Sequence, residues 1–164
     1  AARPPSSAAN TPPHVRTYVL MGYLVRSVAA AYLVCVTCLA GVNKVTDLIS
    51  LKAHANFVRQ LDAFAVHPYG FLGLDPKVFR MCVGCSEVTL ALATLAPSRP
   101  HREWAYNLLG VLTNGLLVAH YHIKDGKETP ALVMLMVIVY LRFYDFAAKF
   151  SRAYAAEIAK TKAR

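Results

Sequence analysis

Apolar residues along the chain are concentrated in four blocks, which predict four membrane-spanning helices. The blocks 27–42, 81–96 and 130–141 lack Lys and Arg, and the last continues through further Phe and Ala residues. The block 104–123 contains no Lys, Arg, Asp or Glu. It has about the 20 residues that cross a hydrocarbon core of about 30 Å at about 1.5 Å per residue. Bilayer spans therefore account for all four blocks.

The segment between the first two blocks is polar, but its apolar residues recur at helical spacing from Leu48 to Ala65. This pattern predicts an amphipathic helix that lies in the membrane interface. Two prolines and two glycines follow in residues 67–76, which indicates a turn-rich loop. Asp75 is then expected to cap the second span, with Pro76 at the first helical position.

The fold predicted from these patterns is all-α: an integral membrane four-helix bundle with an amphipathic interfacial helix after span one. Residues 1–16 are predicted to be a Pro-rich N-terminal tail, 17–149 the transmembrane domain and 150–164 a basic amphipathic C-terminal tail. The spans are placed at 23–42, 78–95 and 104–123 and from Pro130 onward.

Composition supports a membrane protein and limits the classes of partner that we expect. Apolar residues make up 56% of the 164 residues, and the mean hydropathy is +0.38, which is too high for an ordinary water-soluble domain. The 18 Lys and Arg residues lie at the ends of apolar blocks and not in a dense run with aromatics. We therefore expect no nucleic acid as partner, but anionic lipids, including bound cardiolipin or another phospholipid. The residues assigned to lipid headgroups are Arg26, Arg99, Arg102 and Arg142.

The N-terminal segment favours an organellar membrane. Its first residue is not Met, it contains Ala, Ser and Arg, and the first acidic residue is Asp47. We interpret residues 1–13 as the mature end left after removal of a targeting sequence; the alternative is a disordered Pro-rich tail. The predicted location is the mitochondrial inner membrane, with a plastid or endoplasmic reticulum membrane as the alternative. The distribution of basic residues predicts that both termini face the matrix.

Glu87 is a carboxylate in the otherwise apolar second span, where it needs a partner, a proton or a polar cavity. Antiparallel threading places Lys44 and His120, near the ends of spans one and three, in the same half of the bilayer. The three residues are predicted to form a polar intramembrane cluster. The cluster is a clip between helices, a site for a ligand or proton, or a neutral Glu87 bonded to Asn114 or a backbone carbonyl.

Four cysteines form two C-x-x-C pairs, Cys35 with Cys38 and Cys82 with Cys85, in the same half of the bilayer. Side chains at positions i and i+3 of a helix are about 5–6 Å apart, so a disulfide within either pair is disfavoured. We interpret the thiols as small apolar packing residues. The alternatives are a disulfide between the two spans, or a metal or redox site.

The residues that could support catalysis do not form a recognisable constellation. His120 and His122 point to different faces of a helix and cannot share one metal ion. The sequence contains no phosphate-binding Gly loop, nucleophile elbow or zinc-protease pair. Neither an enzyme nor a metal site is therefore predicted.

Several short motifs keep a common order and spacing over about residues 25–145. They are Ala40-Gly41-Val42-Asn43-Lys44, Gly84-Cys85-Ser86-Glu87-Val88, Ala96-Pro97-Ser98-Arg99-Pro100, and His120 near the end of span three. In these motifs the chain resembles the DoxX-like four-helix membrane proteins. The resemblance implies a four-helix bundle with a long loop after span one, and the family's polar residues correspond to Lys44, Glu87 and His120. The cysteines and both tails depart from the family's simple pattern.

Three functions follow from these observations. The leading hypothesis is a non-catalytic accessory subunit of a multi-subunit energy-transducing complex, because the tails and the amphipathic segment suit binding to other subunits and to lipids. The second is a quinone- or thiol-linked membrane oxidoreductase subunit, with quinone near Glu87 and His120. The third is an assembly chaperone for membrane proteins. The resemblance does not decide between them, since family members are described in both of the latter roles.

Overall fold

The computed structural model describes residues 13–162, and of residues 13–16, 18, 19, 159 and 162 it describes the backbone alone. The described part of the chain is all-helical and contains no strand, which confirms the predicted all-α class. Five α-helices follow one another, with a short 3₁₀ helix, Tyr69–Leu72, between the second and third. They are α1 (Pro13–Val45), α2 (Leu51–Val66), α3 (Pro76–Ala93), α4 (Arg99–Ile123) and α5 (Glu128–Lys162).

Side-chain caps define where two of the helices begin. The Ser50 side chain accepts a hydrogen bond from the backbone N–H of Ala53 at 3.3 Å and begins α2. The Asp75 carboxylate accepts from the backbone N–H groups of Lys77 and Val78, and Pro76 follows it at the start of α3. The predicted cap by Asp75, with Pro76 at the first helical position, is confirmed for α3. Such caps satisfy N–H groups that have no partner within the first turn.

The ends of the chain depart from the predicted tail boundaries. Residues 1–12 of the predicted N-terminal tail lie outside the described residues, but α1 already begins at Pro13. Proline is tolerated there because the first turn of a helix does not use its N–H group. At the other end, α5 passes through the predicted boundary at residues 149 and 150 without a break and continues to Lys162.

Two apolar clusters hold the helices together. One lies between α2, α3 and α4, and the other lies between α1, α4 and α5. Their burial removes large side chains from the surroundings and fixes which helices are neighbours. The first cluster contains Leu61, Phe64, Ala65, Phe79, Val83 and Ala119; the second contains Leu33, Tyr106, Leu109, Ile138 and Leu141.

Two of the described helices are long and apolar enough to cross a membrane, by length and composition. The stretches are Leu20–Val45 of α1 and Glu128–Ile158 of α5. In each, 17% of the most apolar window is buried inside the protein, whereas the core helix of a soluble domain is mostly buried. The coarse prediction of an all-helical protein with apolar helices of membrane-spanning length therefore holds for α1 and α5.

Candidate functional site

Two glycines bring the backbones of α1 and α3 into direct contact. A Cβ atom added to Gly41 would lie 2.7 Å from the carbonyl oxygen of Gly84, and one added to Gly84 would lie 2.7 Å from that of Gly41. No side chain fits at that distance, so the close crossing depends on both glycines. Lys44 and Glu87 lie three residues after these glycines and flank the crossing.

Lys44 and Glu87 form a buried ion pair across this contact. The Lys44 ammonium donates to both carboxylate oxygens of Glu87, and the two residues are 5% and 6% exposed. The ammonium also lies 5.1 Å from the centre of the Phe57 ring, within the range of a cation–π interaction. Asn114, the alternative partner of Glu87, is exposed. The pair therefore links α1 to α3, and α2 covers it.

His120 faces the same cavity but has its own acidic partner. Its Nδ1 lies 2.8 and 3.0 Å from the carboxylate oxygens of Asp125, and its ring packs edge-on against Phe64 with centroids 4.8 Å apart. Asp125 was not singled out from the sequence. Its position in the turn just after α4, five residues beyond a histidine, is the signal that could have identified it. The site therefore consists of two pairs, Lys44 with Glu87 and His120 with Asp125.

A cavity of about 230 Å³ lies between these pairs and is lined by residues of all five α-helices. Thr37 is 4% exposed and lines the cavity, and its hydroxyl oxygen has no hydrogen-bond partner among the described residues. A groove of about 470 Å³ adjoins the cavity, because Phe57, His120 and Pro130 line both. The cavity thus opens toward α2 and the beginning of α5.

Asn43 holds α2 against this site. Its side-chain oxygen accepts from the backbone N–H of Ser50 at 3.2 Å, and its side-chain amide donates to the carbonyl of Leu39 at 3.0 Å. Its own carbonyl lies 2.6 Å from Nδ1 of His54. These contacts fold the connection between α1 and α2 back, so that Phe57 reaches the ion pair.

The arginines that the sequence assigns to lipid headgroups lie at the end of the bundle opposite Lys44, where the structure shows protein partners for each. Arg26 pairs with the buried Asp145 at 3.0 Å. Arg99 and Arg142 lie 2.7 and 3.7 Å from carboxylate oxygens of Glu103.

Two of these arginines also donate to backbone carbonyls. Arg99 donates to the carbonyl of Asp145 at 3.0 Å, and Arg102 donates to those of Ala96 and Pro97. The sequence pattern did not identify Asp145 as the partner of Arg26. The available signal was an arginine inside the first apolar helix and an acid inside the last.

The cysteines are free thiols, and three of them lie on the outside of the bundle. Cys35, Cys82 and Cys85 are exposed, and Cys38 is half-buried. The bridge between spans considered from the sequence is not present in the structure. Within the described residues no group of three or more His, Cys, Asp and Glu side chains is arranged to hold a metal ion.

His122 and His120 contact different partners, consistent with their different helix faces. The Nε2 atoms of His122 and His67 lie 2.7 Å apart on the surface. This contact ties the end of α4 to the loop after α2.

Comparison with known proteins adds no relative to these observations. No protein-family model matches the chain, and no curated protein sequence matches it.

Proposed function

We propose that this chain is an integral membrane protein with four spans, α1, α3, α4 and α5, and that it is a non-catalytic accessory subunit of a multi-subunit energy-transducing complex in the mitochondrial inner membrane. The main support for a membrane protein comes from the protein surface. Among the described residues, more large apolar side chains are exposed than buried. So many exposed large apolar side chains favour contact with lipid or with other proteins.

The outward faces of α3 and α4 support spans two and three. With 18 and 25 residues, these helices are about 27 and 37 Å long, close to the hydrocarbon thickness of about 30 Å. Apolar side chains point away from the bundle on both helices. The exposed ones include Val78, Met81, Leu92, Leu108, Val111 and Val118.

The C-terminal part of α5 supports the role of a subunit. The helix has 35 residues and is about 52 Å long, so it extends beyond any bilayer core that the bundle could span. Phe150, Tyr154 and Ile158 follow at intervals of four and form an exposed apolar stripe on this extension. Such a stripe outside the bundle fits the surface of a partner subunit, because residues 13–162 leave its side chains exposed.

The resemblance to DoxX-like proteins and the mitochondrial location are parts of the same proposal. The helix order, with an amphipathic α2 between the first and second spans, supports the resemblance. The absence of acidic residues before Asp47 supports an organellar membrane. At the end of the bundle opposite Lys44, the arginines outnumber their acidic partners, which suits the binding of cardiolipin phosphates there.

Native electrophoresis of membranes solubilised in mild detergent tests the proposal. We expect the tagged protein in mitochondrial inner-membrane fractions, migrating with a complex much larger than itself. The triple variant Phe150→Ala/Tyr154→Ala/Ile158→Ala is expected to migrate as a small free species, because it removes the exposed stripe and leaves both buried apolar clusters unchanged. The matched control Arg152→Ala/Glu157→Ala changes exposed polar residues of the same helix and should remain in the complex.

Two results separate the alternatives. A wild-type protein that migrates only as a small free species refutes the accessory-subunit role. Association with immature complexes but not with the mature complex would instead show an assembly chaperone.

A further inference from the structure

The cavity between the five helices differs from an ordinary packing void. Empty voids in protein cores are lined by apolar atoms, whereas this cavity is lined by both polar and apolar side chains. The polar ones come from α1, α3 and α4 and are Thr37, Lys44, Glu87, Thr113 and His120. Phe57, Leu116 and Met134 supply apolar walls from α2, α4 and α5. Apolar walls with a few convergent polar groups are typical of small-molecule sites.

Thr37 indicates that the polar groups lining the cavity are not all hydrogen-bonded. Its hydroxyl oxygen is buried and has no hydrogen-bond partner among the described residues, although buried polar groups are nearly always bonded. Leu33 and Leu109 pack together one turn before Thr37 and Thr113, on the same helix faces. The cavity therefore begins where the apolar cluster ends, and Thr37, which carries this hydroxyl, lines it.

The charges of the site favour a neutral ligand. Lys44 and Glu87 neutralise each other. His120, which also lines the cavity, is paired with Asp125, which does not line it. A charged ligand would enter a region of low dielectric constant without a counter-charge, which is strongly unfavourable. A carboxylate has about four lone-pair positions, so Glu87 can accept a further hydrogen bond while it is bonded to Lys44.

The size of the cavity limits the ligand to one ring. An apolar cavity of about 150 Å³ admits benzene, and the volume here is about 230 Å³. A single ring with one or two substituents fits this space. The ligand can reach it from the groove beside α2, where Asn56 and Gln60 form a polar rim next to His120.

We infer that this cavity binds a small neutral phenol-type compound, a single ring that carries one hydroxyl group. The hydroxyl donates to Glu87 and accepts from Thr37, and the ring lies between Phe57 and Met134. A hydroxyl is favoured over a carbonyl because the wall offers both an acceptor and a donor. The inference goes beyond the proposed function and does not depend on it, since the site lies within one chain.

Fluorine NMR of para-fluorophenol, added to the full chain in phosphatidylcholine nanodiscs, tests the inference. We expect saturable binding to the wild-type protein. Thr37→Val should weaken it by about 5- to 10-fold, the effect of one hydrogen bond. Ala131→Leu places a larger side chain in the cavity and should abolish binding. The control Thr89→Val changes an exposed threonine of α3 outside the cavity and should bind as the wild type does.

Para-fluorotoluene has the same size but no hydroxyl, and we expect it to bind at least about fivefold more weakly. Absence of saturable para-fluorophenol binding to the wild type would overturn the inference, and so would equal binding of the two compounds or unchanged binding by Thr37→Val. Thr37→Val is nearly isosteric, so the test stands even if Ala131→Leu does not fold. Because the isolated chain is used, a negative result leaves the accessory-subunit role unaffected, and a free wild-type protein on native gels leaves this inference unaffected.

Discussion

The ion pair between Lys44 and Glu87 is the residue-level contact with the largest expected effect on stability. Removing one partner leaves the other charge buried without compensation, so Glu87→Leu and Lys44→Met should each lower the free energy of unfolding by about 3–5 kcal/mol. The double variant should recover most of this loss, because it buries two apolar side chains instead. Denaturant titration in detergent, followed by circular dichroism, measures all three.

A partly exposed pair provides the control for this prediction. Arg80 and Asp62 also join two helices, at 2.9 Å, but the Asp62 side chain is 41% exposed. Asp62→Asn should therefore cost less than about 1 kcal/mol. Equal losses for Asp62→Asn and Glu87→Leu would show that burial of the ion pair does not determine its contribution.

The glycines at the crossing of α1 and α3 lead to a second residue-level prediction. Gly41→Ala and Gly84→Ala should each lower the free energy of unfolding by about 1–3 kcal/mol, because the added methyl group meets a backbone carbonyl that cannot move away. Gly110→Ala is the matched control: its Cβ would lie 3.6 Å from a side-chain atom of Ile138, an ordinary contact.

The better helix propensity of alanine should make that control neutral or slightly stabilising. Thermal unfolding of the three variants in the same detergent compares them directly. A loss by Gly110→Ala as large as that of Gly41→Ala would contradict the role of the close crossing.

The sequence drew attention to Lys44 and Glu87 because a charge in or beside an apolar block requires an explanation. Asp145 is also a charge beside an apolar block, but nothing near it along the chain identifies its partner. Whether an acid on a helix faces solvent or a distant arginine depends on how helices pack, and Arg26 is 119 residues away along the chain. The contact between Gly41 and Gly84 was equally unpredictable, because a small residue permits close packing but does not indicate which helix packs against it.

At the level of whole elements, the beginning of α3 permits a test of helix capping. Asp75 accepts hydrogen bonds from two backbone N–H groups, whereas Ser98, at the equivalent position of α4, accepts none from the backbone. We expect Asp75→Ala to cost about 1 kcal/mol and Ser98→Ala to change stability by only a few tenths of that. Comparison of the two unfolding curves checks the difference, and similar losses would contradict it.

Helices were predictable where their signals are local, and less so where their ends depend on context. Asp75 and Pro76 mark the start of α3 in the sequence, and the spacing of apolar residues from Leu48 to Ala65 indicates α2. The Pro-rich pattern predicts a tail at Pro13, where α1 begins, because proline is typical both of extended chain and of the first turn of a helix. The pairing of α1 with α3 and of α4 with α5 has no such local signal, since the apolar blocks are alike.

At the scale of the whole molecule, the proposed four spans predict on which side of the membrane the connection between α3 and α4 lies. If four helices cross, Pro97 lies on the opposite side from Asp47 and Lys127. If only α1 and α5 cross, all three lie on the same side.

We expect Pro97→Cys, in a background without other cysteines, to react with an impermeant maleimide from the side opposite to Asp47→Cys and Lys127→Cys. The last two variants are the controls, because both topologies place them together. Labelling of all three from one side of oriented proteoliposomes would exclude the four-span bundle and leave α3 and α4 as a hairpin at the membrane surface.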